Sequence, residues 1–188
     1  DVIKRALTAH ASTTVSSNQD NIAATTATCY MPLPSGNTTA TTAGKLVDGG
    51  ATFETDGVQA GDIAFDNTGG SFATVTAVDN ETTLSVAVDI FVNGDAYVIR
   101  RPVVSGHTTD TLASYVVDAK GRFLKAQIAN GTTICNMTDT TKTTTNAAAT
   151  SDTNMSLAAD IFTKDEQYVV VRQNPLWQPP YEGIPVAD

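Results

Sequence analysis

From Lys45 onward the chain reads as short runs of alternating apolar and polar residues, separated by clusters of Gly, Asp, Asn and Thr. A period of two puts every second side chain on one face of an extended strand, and Gly or Asn supplies the backbone freedom of a tight turn. On this reading GDIAF is a strand, DNTGGS a turn, FATVTAV a strand, DNET a turn and TLSVAV a strand; AYVIRR closes the series after DIFVNGD. Phe72, Thr74, Thr76 and Val78 alternate with Ala73, Val75 and Ala77, the pattern of a strand with one buried face. Before Lys45 the pattern changes. Val2, Ile3, Ala6 and Leu7 fall at helical spacing and predict a short N-terminal helix over residues 1–13. Residues 14–44 run through Ser, Thr, Asn and Ala, and their apolar patch is broken by Pro32 and Pro34, which predicts an extended arm or an edge strand.

The tail NPLWQPPYEGIPVAD holds four of the seven prolines and the only tryptophan. Proline fixes φ and favours an extended path, so residues 174–188 read as an arm. Its anchors, Leu176, Trp177, Tyr181 and Ile184, are costly to leave in water, and the arm packs either over its own domain or onto a neighbouring subunit.

Comparing the chain with itself brings out a repeat. Val47, Asp48, Phe53 and Gly61 precede Val117, Asp118, Phe123 and Gly131 by 70 positions. Further on the offset is 71, with Asp89, Ile90, Phe91, Tyr97 and Arg101 matching Asp160, Ile161, Phe162, Tyr168 and Arg172. One residue inserted between Gly131 and Met155 accounts for the change. Steady spacing over more than fifty residues points to an internal duplication with four or five strands per copy. The second copy replaces the glycine-rich hairpin by TDTTKTTTNAAATSDTN, which reads either as a projecting Thr-rich hairpin or as an irregular loop. The expected fold is all-β: two tandem small β-barrel or sandwich-like modules with extended N- and C-terminal arms. The expected boundaries are a helix and arm over 1–44, a first module over 45–102, a linker and second module over 103–173, and the arm over 174–188.

Composition sharpens this picture. Charged residues are only 16 % of the chain against about 25 % in an average globular domain, so the polar surface must come largely from hydroxyls, above all from about thirty threonines. A formal net charge of −9 argues against direct binding of nucleic acid, which needs clustered Lys and Arg. No apolar run is long enough to span a membrane, and no charged and then apolar leader pattern opens the chain.

Candidate chemistry is sparse. The two histidines, His10 and His107, have no partner at metal-ligand spacing. Cys29 and Cys135 could bridge, but two small buried residues in strands is the better reading. Asp56, Asp62, Asp66, Asp79, Asp89 and Asp95 sit among turn residues, where a short carboxylate bonds nearby backbone; the alternative, calcium, lacks the alternating ligand pattern of an EF-hand. No catalytic, metal or cofactor constellation emerges, and the expectation is a protein without enzymatic activity or cofactor.

The stretch LVDGGATFETDGVQAGDIAFDNTGGSFATVTAVDNETTLSVAVDIFVNGDAYVI resembles a module of tailed-bacteriophage structural proteins. The likeness lies in the Val-Asp and Phe opening, the Gly-Asp strand start, the Ala-Thr-Val-Thr-Ala-Val strand and the closing Asp-Ile-Phe and Gly-Asp-Xaa-Tyr. It extends to Val117–Phe123 and Met155–Val171, where the Gly-Asp pairs are lost. The resemblance implies a virion component of head, tail or fibre without catalytic residues; a capsid decoration (cement) protein is the leading expectation, and a tail, collar or fibre component is the alternative. Its implied partners are the major capsid protein or tail components and further copies of itself, with no membrane. A cell-surface adhesin or filament subunit binding a receptor or glycan is the rival reading, and a hydrolase on a β scaffold stands third.

Overall fold

The computed structural model describes residues 33–171, and within them the chain forms twelve strands and no helix. The first six are β1 (Ser35–Asn37), β2 (Lys45–Val47), β3 (Ile63–Asp66), β4 (Phe72–Asn80), β5 (Thr83–Val86) and β6 (Ala96–Arg100). They make one antiparallel sheet in the order β1-β6-β3-β4-β5-β2. The other six are β7 (Pro102–His107), β8 (Tyr115–Val117), β9 (Thr133–Asn136), β10 (Thr141–Thr144), β11 (Asn154–Ser156) and β12 (Gln167–Val171). Their order is the same, β7-β12-β9-β10 followed by β11-β8, but split into sheets of four and two strands.

The split has a local cause. β4 is nine residues long and bends through register shifts at Val75/Ala77 and Val78/Asn80, so it pairs with β3 at one end and β5 at the other. β10 has four residues and pairs only with β9; the single bridge Thr145–Leu157 is what remains of the second junction. The Thr-rich segment of the second half is thus a hairpin, Thr133–Asn136 against Thr141–Thr144, followed by an irregular stretch.

Ser35–Asn37, in the segment read as an extended arm or an edge strand, forms the edge strand beside β6, and Pro102–His107, at the junction of the spans 45–102 and 103–173, forms the edge strand beside β12. Prolines fit both places, because an edge strand leaves part of its N–H row unpaired. The helix expected over 1–13, His10, Cys29 and the anchors Leu176, Trp177, Tyr181 and Ile184 lie outside the described residues.

Each half closes on its own core. Leu46, Phe53, Leu84, Phe91, Tyr97 and Ile99 are central to the first, and Val116, Phe123, Ile134, Met155, Phe162, Tyr168 and Val170 to the second. A third cluster joins them: Ile63, Phe65 and Phe72 of the first half pack with Cys135, Val169 and Val171 of the second. β3 is therefore buried on both faces, as is the start of β4, where Phe72 points to the other half while Ala73 and Val75 point to their own core. This corrects the expectation of one buried face for β4. Lys142 adds a bond to the Gly70 carbonyl and lies 5.5 Å from the Phe65 ring centroid.

Candidate functional site

The most conspicuous polar groups in the interior occur twice. Asp48 accepts the Tyr97 hydroxyl at 2.8 Å and the Gly50 N–H at 2.9 Å; Asp118 accepts the Tyr168 hydroxyl at 2.8 Å and the Lys120 N–H at 2.8 Å. A glycine covers each pair. A Cβ on Gly36 would stand 2.6 Å from Asp48 Oδ2, and one on Gly106 would stand 2.5 Å from Asp118 Oδ2. Burial, reinforced by the neighbouring carboxylate, pushes both phenols well above the ordinary tyrosine value, so they stay neutral donors. These pairs are bonded and sealed from solvent, which suits scaffolding and not proton transfer.

Threonine hydroxyls do similar work. Thr38 accepts the Asp95 N–H and donates to the Val92 carbonyl, and Thr108 accepts the Glu166 N–H and donates to the Thr163 carbonyl. Thr39 and Thr109 hold the Gly49 and Ala119 N–H groups, each at 2.9 Å. Hydroxyls read from composition as surface polarity are thus in part backbone anchors.

The aspartates singled out in the sequence are used locally. Asp66 accepts the Thr68 and Gly69 N–H groups, Asp95 that of Val92 and Asp89 that of Gly44. Asp56 takes the Thr52 hydroxyl, and Asp79 pairs with Lys45 at 2.8 Å. Asp62 accepts the Gln59 N–H and both Nε and Nη2 of Arg101, each of these at 2.9 Å. His107 is exposed on β7, and the Cys135 thiol, buried between the halves, is pushed up to about 12 by burial. Among the described residues no three His, Cys, Asp or Glu side chains group to hold a metal ion, and no helix is long and apolar enough to cross a membrane.

What the sequence reading passed over is a groove of about 390 Å³ between β7 and the turn that follows Asp118. Val104 and Tyr168 line it, and Lys120, Arg122 and Lys125 bring three cations to it. All three are exposed and make no ion pair among the described residues. They are three of the eight lysines and arginines in residues 33–171, drawn from one six-residue stretch. The run KGRFLK was the available signal, masked by the acidic total. Exposed Val103, 37 % accessible, adds apolar surface to the groove, and Leu124, 49 % accessible, adjoins Lys125 outside its lining, so the groove can hold an anionic group while carbon is buried beside it.

Compared with known proteins, the chain matches no family model and no curated protein.

Proposed function

We propose that this chain is a non-catalytic structural component of a tailed-bacteriophage virion, a capsid decoration protein made of two tandem β modules that arose by internal duplication. The observation that carries the structural role is the use of the buried polar groups. Among the described residues every buried side-chain nitrogen and oxygen has a hydrogen-bond partner, and the Gly-Asp-Tyr arrangement recurs at matched positions in both halves. Groups committed in this way stiffen a scaffold and are not poised for chemistry. The resemblance of residues 46–99 to phage structural modules supplies the virion context.

In this reading the β body sits on the lattice and the C-terminal segment with Leu176, Trp177, Tyr181 and Ile184 clamps a neighbouring subunit. Deleting residues 174–188 should abolish binding to capsids in a co-sedimentation assay while leaving the far-ultraviolet circular dichroism of the β body unchanged. Undiminished capsid binding by the truncated chain would rule out the clamp. Saturable binding of a glycan by the isolated monomer, with no binding to capsids, would replace the virion reading by that of an adhesin.

A further inference from the structure

The turn after Asp48 and the turn after Asp118 have the same backbone hydrogen bonds and opposite charge. Val58 N–H bonds the Phe53 carbonyl as Ile128 N–H bonds that of Phe123, and the Glu81 and Asp152 carboxylates accept the N–H groups of Thr55 and Lys125. Yet Lys120, Arg122 and Lys125 stand where the first half has Gly50, Thr52 and Thr55, and Leu124 and Ala126 stand where it has Glu54 and Asp56. The first-half surface therefore carries Glu54, Asp56 and Glu81, with Arg101 at its edge bonded to the Gly57 carbonyl and paired with Asp62, and the second carries three cations with Asp152 at its base. The Thr55 hydroxyl and N–H hold the Glu81 carboxyl below its ordinary value, so it is ionised at neutral pH.

We propose that the groove beside Lys120, Arg122 and Lys125 is an interface for a second copy of this chain, whose Glu54, Asp56 and Glu81 surface docks there. Complementary charge selects this pairing, because basic against basic and acidic against acidic are both repulsive. The contact is heterologous. After one contact one copy keeps its acidic surface unused and the other its basic surface, so association continues head to tail into a ring or a filament. Val103 and Leu124 lose solvent exposure in the contact, which adds apolar burial to the charge pairing. The inference stands on the charge contrast and does not require the virion reading; capsid binding and self-association are separate measurements.

The test is sedimentation velocity of the full chain at about 20 mM and about 500 mM salt, where screening lengths differ several-fold. The expected result is concentration-dependent species heavier than the monomer at low salt, with association at least about tenfold weaker at high salt. The triple variant Lys120→Glu, Arg122→Glu, Lys125→Glu should be monomeric at both. Mixing it with Glu54→Lys, Asp56→Lys should restore a complex, which also shows that both variants are folded. A monomer at low salt up to about 100 μM, where an interface of about 1 μM affinity would be nearly saturated, overturns the proposal. So does unchanged association of the triple variant, or a wild-type monomer that binds heparin or duplex DNA through these cations.

Discussion

Residues 35–101 enter the left-handed backbone region at Gly44, Gly57, Gly61, Gly70 and Gly94, whereas residues 102–171 do so at Ser114, Gln127, Gly131, Thr140 and Asp165, the matching positions. Four of the five glycines are thus replaced by residues with a Cβ, and the chain still takes φ values of 53–67° at those four. The turns are imposed by the strands and cores they connect, and glycine only lowers the cost. The halves differ in paired ways elsewhere. Asp66, which holds its turn with carboxylate oxygens alone, is matched by Asn136, whose Oδ1 holds the equivalent turn. The Asn136 amide nitrogen then needs acceptors and finds the Ile161 carbonyl and Glu166, and Glu166 stands in the place of the shorter Asp95. One substitution makes sense only beside the other.

The equivalence of the two cores is the first thing to break. Phe53 and Phe123 are fully buried beside Tyr97 and Tyr168, with ring centroids 6.0 and 5.6 Å apart. Phe53→Ala and Phe123→Ala should each cost about 3–5 kcal/mol in urea unfolding. If one costs less than about 1 kcal/mol, the two cores are not energetically alike.

The Asn136–Glu166 pairing should come next. Asn136→Asp removes the donor to Glu166 and sets a second carboxylate against it, at about 2–3 kcal/mol near neutral pH. The new carboxyl would have its folded value raised by burial and by Glu166, so the penalty shrinks as pH falls and grows as pH rises through that value. Wild-type Glu166 has the opposite sign. Burial raises its carboxyl, but the bonds donated by the Thr163 N–H and the Asn136 amide outweigh this and hold it below the ordinary glutamate value, so its contribution is present above that value and is lost on acidification. Thermal melts of both proteins across the acid range check the crossing, and a penalty independent of pH would refute the charge argument. Asp66→Asn in the first half should cost about 1–3 kcal/mol, since the amide oxygen can keep the turn but the buried amide nitrogen meets the shorter Asp95 in place of Glu166.

Gly36→Ala and Gly106→Ala sharpen the comparison at a point where the halves agree. The added methyl meets a carboxylate oxygen already fixed by a tyrosine hydroxyl, so about 1–3 kcal/mol should be lost at each site, equally. The smallest effect is expected at the turns: Thr140→Gly should stabilise the protein by about 1 kcal/mol and Gly70→Thr should destabilise it by at least as much, read from melting temperatures. A neutral Thr140→Gly would show that this β-branched residue is not strained.

Much of the first half was legible. β3, β4, β5 and β6 lie where alternation and turn residues put them, and the 70-residue spacing located the aromatic positions that became the two cores. The three-residue strand β8 was missed, because so short a run has no period to read and is defined only by a distant partner, and for β1 the residues left an arm and an edge strand both open. The basic groove was missed for a related reason: net charge sums over the chain, while a surface is local.

The sequence by itself determined the all-β class, the turn positions and the repeated placement of Asp48, Tyr97, Asp118 and Tyr168, because these depend on side-chain period and on spacing along the chain. Only the tertiary structure decided that Phe65 and Phe72 face Cys135 and Val169, that Thr38 and Thr108 anchor backbone more than fifty residues away, and that three cations gather at one groove. Such pairings are set by which surfaces must leave water together, and that is a property of the packed chain and not of any segment of it.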